Sequence, residues 1–98
     1  SRKRVKVQVT AAWLDPAKAA LAEAWILPQE ARGVATYADP PPAGLEGRVL
    51  VAREVVTNGQ ATLFVPTGRD VAFRLVQAGA EGTTRVSRLE ADGKVVVR

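Results

Sequence analysis

Cysteine, methionine and histidine are all missing from this sequence. With them go disulfides, thiolate nucleophiles, the usual zinc ligand sets and imidazole acid–base chemistry. Ser1 and Ser87 therefore have no histidine to activate them. No closely spaced Asp/Asn run offers the converging oxygens of a calcium site. No glycine loop of the GxGxxG or Walker type offers a phosphate cradle, and no stretch approaches the ~20 apolar residues of a membrane span. Aromatics are scarce, at 5% of the residues. Each common catalytic constellation lacks a member, so the chain is expected to be a non-enzyme with no cofactor, no metal and no small-molecule substrate.

What is present is 98 residues, 47% of them hydrophobic, drawn mainly from Ala and Val. That length suits one domain spanning 1–98, because neither half of a two-domain division would bury enough surface. A thin core rich in β-branched side chains suits strands. Lys and Arg number 14 against 10 Asp and Glu, a formal net charge of +4. This balance permits nucleic acid, anionic glycans or acidic membranes as partners and requires none of them. Arg outnumbers Lys and thermolabile residues are few, a composition expected of a thermostable protein from a GC-rich or thermophilic source. The chain opens on Ser1 without an initiating Met, as a processed protein or an excised domain would.

Val5, Val7, Val9 and Ala11 alternate with Arg4, Lys6, Gln8 and Thr10, the period-two signature of a strand with one buried face. Arg2, Lys3, Arg4 and Lys6 form a candidate polyanion-binding patch, or else a solvated first strand whose charges oppose edge-to-edge aggregation. Asp15-Pro16 followed by an Ala-rich run has the form of an N-cap and first turn, so the local signal is a helix over 16–27. The competing reading is a turn over 15–18 and a strand over 21–27 stopped by Pro28, since the helix would be short and its apolar face untidy. Val34, Ala35, Thr36 and Tyr37 are a short strand candidate. Asp39-Pro40-Pro41-Pro42 is a stiff loop, because consecutive prolines donate nothing to a ladder.

The clearest local signal is Asn58-Gly59, whose tolerance of positive φ gives the type I′ turn of a two-residue hairpin. With these two residues central, Val56 faces Ala61, Glu54 faces Leu63 and Arg53 faces Phe64. One face then carries Leu50, Ala52, Val56, Ala61, Leu63 and Val65 as the expected core, with Glu54 as a misfit placed at the rim. The other carries Val51, Arg53, Val55, Thr62 and Phe64, more apolar than a solvated face, and sets Phe64 beside Arg53 for a cation–π contact. Val51, Arg53, Val55 and Phe64 are therefore candidate partner-binding residues. Beyond Pro66, Phe73 points inward and Arg74 outward in a further strand, and 77–83 is a loop. Asp92-Gly93 then marks a second hairpin that sets Leu89 against Val96.

This order of strands and turns resembles the carboxypeptidase regulatory-like modules and their transthyretin-like and pilin-B-type relatives. The residues that carry the resemblance are Val5-Lys6-Val7-Gln8-Val9, Leu21-Ala22-Glu23-Ala24-Trp25-Ile26-Leu27, and the run from Thr57-Asn58-Gly59 to Val65-Pro66-Thr67-Gly68. It implies an all-β fold, a small immunoglobulin-like or transthyretin-like antiparallel β-sandwich of about seven strands. The alternative is an α+β fold with one helix near 16–27. The family's motifs are structural and supply no catalytic residue. The Lys and Asn pairing that cross-links some pilin modules is not matched, since Asn58 is committed to a turn.

The expected function is a non-catalytic structural or interaction module of a surface, envelope or virion protein, located outside the cell or in its envelope. It would engage a protein partner or a second copy of itself through the apolar outer face at Val51, Val55 and Phe64. The alternative is a basic β-barrel that binds nucleic acid or another polyanion, which requires exposed aromatics beside its Arg and Lys. Phe64 and Tyr37 are the candidates for that role, while Trp13 and Trp25 suit a core short of large fillers.

Overall fold

The computed structural model describes residues 3–98, so Arg2 of the basic patch lies outside the described residues. Seven strands follow one another: β1 (Arg4–Ala11), β2 (Ala20–Ile26), β3 (Val49–Val55), β4 (Ala61–Pro66), β5 (Arg69–Gln77), β6 (Ala80–Leu89) and β7 (Gly93–Val97). They form a three-stranded sheet of order β4-β1-β7 and a four-stranded sheet of order β3-β2-β5-β6. The expected all-β sandwich is present, and its antiparallel character holds for every pair except β1 and β7, which run parallel. Among the described residues no helix is long and apolar enough to cross a membrane.

The alternating valines of β1 set the core. Val5, Val7 and Val9 are fully buried and meet Leu63 and Val65 of β4, Phe73 and Leu75 of β5, and Val95 and Val97 of β7. Their partners in alternation, Arg4 and Lys6, stay exposed on the other side of the sheet.

The helix over 16–27 does not form. Asp15 caps a turn instead, with its Oδ1 accepting the Ala17 N–H at 2.9 Å and its carbonyl accepting the Lys18 N–H at 3.1 Å. Ala20–Ile26 then becomes a central strand paired on both sides, to β3 and to β5. Local Ala propensity is a weak prior, and two ladders with a buried face outweigh it. Ala22, Ala24 and Ile26 point into the core, and their small size lets the two sheets approach. The one helical turn among the described residues is a 3-10 turn at Pro28–Glu30.

The Asn58-Gly59 turn forms as expected, with φ of 53° and 82° and two backbone bonds between Thr57 and Gln60. The ladder beyond it does not form. β3 leaves to pair with β2, and β4 leaves to pair with β1 in the other sheet. A two-residue turn fixes one residue pair; the longer strands supply more ladder bonds and buried surface, and they decide the rest. Asp92-Gly93 fails as a hairpin for a related reason. Neither residue has positive φ, Asp92 Oδ1 accepts the Lys6 N–H at 2.8 Å, and the chain passes from β6 in one sheet to β7 in the other. The hairpin of this half lies within 77–83, where Gln77 faces Ala80 across Ala78-Gly79 and Gly79 has φ of 84°. Gly82, within β6, lies so close to the last strand that a Cβ there would overlap the Arg98 carbonyl oxygen.

The long insert covers part of the outer face of the four-stranded sheet. Leu45, only 2% exposed, closes a second small core over Trp25, Leu50 and Ala72. Leu50 thus leaves the main core assigned to it by the hairpin register. A register shift between Ala24 and Trp25 turns it to the Trp25 side, while Val51 packs partly against the main core.

Candidate partner-binding cleft

After the Asn58-Gly59 turn, β3 and β4 run to the edges of different sheets, and a cleft opens between them. The segment 32–37 walls it, held by Tyr37, whose N–H donates to the Leu50 carbonyl at 2.9 Å. Val34, Ala35, Thr36 and Tyr37 contribute this single bridge to β3 and no strand of their own.

Two recesses adjoin one another in the cleft. The first, about 290 Å³, lies among Val34, Tyr37, Val51, Phe64 and Pro66, with Arg4 at its margin. That volume sits at the lower end of the range for small-molecule sites and accommodates one large side chain or ring. The second, about 450 Å³, lies among Lys3, Arg4, Arg32, Thr67 and Arg69. Arg4, Val34 and Pro66 border both. The pairing in the sheet explains the arrangement: Arg4 stands opposite Pro66 and Lys6 opposite Phe64, so aromatic and cations share one outer face. Phe64 is 54% exposed.

The charges in this cleft differ from those elsewhere. Among the described residues Lys3, Arg4, Lys6 and Arg32 make no ion pair. Arg69 spends its donors on the Glu30 and Thr67 carbonyls, at 3.0 and 2.6 Å. The buried Thr67 Oγ1 beside it has no hydrogen-bond partner. Two acids border the far ends of the cleft: Asp92 adjoins a shallow hollow with Arg4, Lys6 and Phe64, and Glu54 adjoins another with Arg4, Arg53 and Phe64.

On the four-stranded sheet the cations are neutralised. Glu23, 5% exposed, accepts from Arg74 at 3.0 Å and from the Trp25 indole at 3.0 Å, and lies 3.6 Å from Arg53. Arg53 is also paired with Asp39, whose hydrogen bond raises the guanidinium pKa above its ordinary value. Asp70 bridges Arg85 at 2.7 Å and Arg48 at 3.1 Å. The Arg85 hydrogen bond, and then that of Arg48, hold its carboxyl below the usual aspartate range against the opposing effect of burial.

The sequence-derived candidates are thereby redistributed. Phe64 and Val51 do come together in the apolar recess, and Lys3, Arg4 and Lys6 join them. Val55 does not: it is 62% exposed opposite Leu21 on the outer face of the four-stranded sheet. Arg53 does not pair with Phe64 across a ladder. It stacks over Tyr37, 5.3 Å from the ring centroid, and meets Phe64 only across a shallow hollow between the two strand edges. Glu54 is exposed at the rim, and the buried carboxylate is Glu23. Arg32 and Arg69 escaped the sequence reading because no local pattern carries 32–37 to β1, which adjoins it only through tertiary structure.

Chemically the cleft offers a partly apolar seat beside a cluster of cations that make no ion pair among the described residues. Its lining holds no nucleophile with an activating base, and no group of His, Cys, Asp or Glu among the described residues could hold a metal ion. Comparisons with protein-family models, with curated proteins and with solved structures gave no match, so the functional reading rests on this geometry.

Proposed function

We propose that the domain is a non-catalytic interaction module that engages a protein partner through the cleft between β3 and β4, in keeping with an affiliation to the regulatory-like and transthyretin-like modules. One observation carries the reading: the cleft joins exposed Phe64 to Lys3, Arg4, Lys6 and Arg32, which make no ion pair among the described residues. Exposed aromatic surface is kept in water and clustered like charges repel one another, and a complementary acidic partner relieves both. A second copy of the chain brings the same charge of +4, so a different, acidic protein fits better than self-association.

A specific observation favours a second reading as well. Phe64 stands across the ladder from Lys6, the aromatic-beside-cation arrangement used to stack and neutralise single-stranded nucleic acid. The two separate with a benzophenone photocrosslinker placed at position 64 of the otherwise intact protein. The proposal expects adducts with protein, lost when Arg4→Glu is added. Adducts with nucleic acid alone, or none beyond those from a probe at Val96, would overturn it.

A further inference from the structure

We infer that the ligand of this cleft is an extended acidic peptide segment carrying one large apolar side chain, seated beside Phe64, with carboxylates on either side of it. The inference rests on the interaction-module reading above and names the chemistry of the partner.

Charge complementarity supplies the acidic part. Among the described residues Lys3, Arg4, Lys6 and Arg32 lie along the cleft without an ion pair, although Asp92 borders one end of it, while Arg48, Arg53, Arg74 and Arg85 are each paired with a carboxylate. The cations here are therefore positioned to meet acidic residues brought from outside. The apolar recess of about 290 Å³ supplies the anchor, with room for one Phe, Leu or Trp side chain and walls of Val34, Val51, Phe64 and Pro66. Because Arg4, Val34 and Pro66 border both recesses, the anchor and the nearest carboxylate must be close neighbours in the ligand.

The same geometry ranks peptide above nucleic acid. A strand of bases needs successive free aromatic faces. Tyr37 has Arg53 over its ring, which leaves Phe64 as the one uncommitted platform in the cleft. Val34, Ala35, Val51 and Pro66 supply the aliphatic part of the recess wall, which suits a side chain. Topology favours an extended backbone too: among the described residues β4 ends its sheet, with β1 on one edge and no strand on the other, so a peptide lying along it can add main-chain bonds.

Fluorescence anisotropy on the intact protein tests this, with a labelled peptide in which one Phe is flanked by Glu residues. The expected result is saturable binding that weakens as salt rises from about 50 to 200 mM. Replacing the peptide Phe by Ser, or Phe64 by Ser, should weaken it about tenfold or more. Arg4→Glu should abolish it, and the peptide-side change keeps the test valid should a protein variant misfold. No binding, or equal binding of the Phe-free peptide, would overturn the inference. So would preferential binding of labelled oligothymidylate, which would assign the cleft to nucleic acid. Protein adducts from the position-64 crosslinker, persisting despite peptide failure, would sink this ligand class and leave the interaction module standing.

Discussion

The outer faces of the two sheets use the same kinds of side chain and dispose of them in opposite ways. On the four-stranded sheet, Trp25 is covered by Leu45 and bonded to Glu23, and the arginines are tied to Glu23, Asp39, Asp70 and Glu81. On the three-stranded sheet and the adjoining cleft, Phe64 is half exposed, and among the described residues Lys3, Arg4, Lys6 and Arg32 make no ion pair. The first face closes its own interactions and serves the fold. The second leaves them open, which is the property the proposed docking of a partner would use. The difference is testable, because equivalent truncations on the two faces should have unequal effects on stability.

Removing the covered aromatic gives the largest effect. Trp25→Ala deletes the floor beneath Leu45 and strands Glu23 without its indole donor, and should lower unfolding free energy by about 3–5 kcal/mol in a urea titration. Next comes Glu23→Gln, which leaves Arg53 and Arg74 facing a neutral amide. Each retains another carboxylate, Asp39 and Glu81 respectively, so the loss should be about 2 kcal/mol rather than the full penalty for an orphaned buried charge. A loss under half of that would mean the network is held by solvent more than by Glu23.

These residues also show what the sequence could and could not reveal. Period-two alternation identified β1 and the inward Phe73, since a strand with one wet face writes its register into its own residues. Asn58-Gly59 identified its turn. Neither that turn nor Asp92-Gly93 could reveal that the chain changes sheets there, because the competing partners, β1 and β2, lie far away in sequence. At 16–27 the helix signal gave way to its competitor, a turn over 15–18 and a strand stopped by Pro28, with tertiary pairing overriding Ala propensity. The cleft was half legible: Phe64, Val51, Arg4 and Lys6 stood out, but as two separate patches, and the crossing of Arg32 beside them depends on the folded insert. The protective role of Glu23 was hidden because its partners, Arg53 and Arg74, come from strands 30 and 51 positions onward.

Asp70 sharpens the comparison through pH. Its folded pKa is depressed, so its contribution is fully present above the ordinary aspartate value of about 4 and fades as pH falls through the lower folded value. The protein should lose stability below about pH 4. Asp70→Asn should lower stability near neutrality by about 1–2 kcal/mol and flatten that acid limb, as followed by thermal melts between acid and neutral pH. An acid limb of unchanged steepness would assign the loss to other carboxylates.

The smallest stability effects belong to the cleft, and there even the sign is informative. Phe64→Ala removes a ring that is already 54% exposed and should change unfolding free energy by no more than about 0.5 kcal/mol, an order of magnitude less than the same truncation at Trp25. Arg4 is surrounded by Lys3, Lys6 and Arg32, and among the described residues none of these four side chains makes an ion pair, so in the free protein their charges repel. Arg4→Ala should therefore raise stability slightly at low salt, by about 0.2–0.5 kcal/mol, and the gain should vanish as salt screens the repulsion. Arg53→Ala, on the closed face, should destabilise at the same low salt because it removes attractions. Opposite signs for these two arginine deletions would show that the cleft is maintained at the expense of the fold; a loss at both would mean that Arg4 has an internal partner and that the two faces are alike.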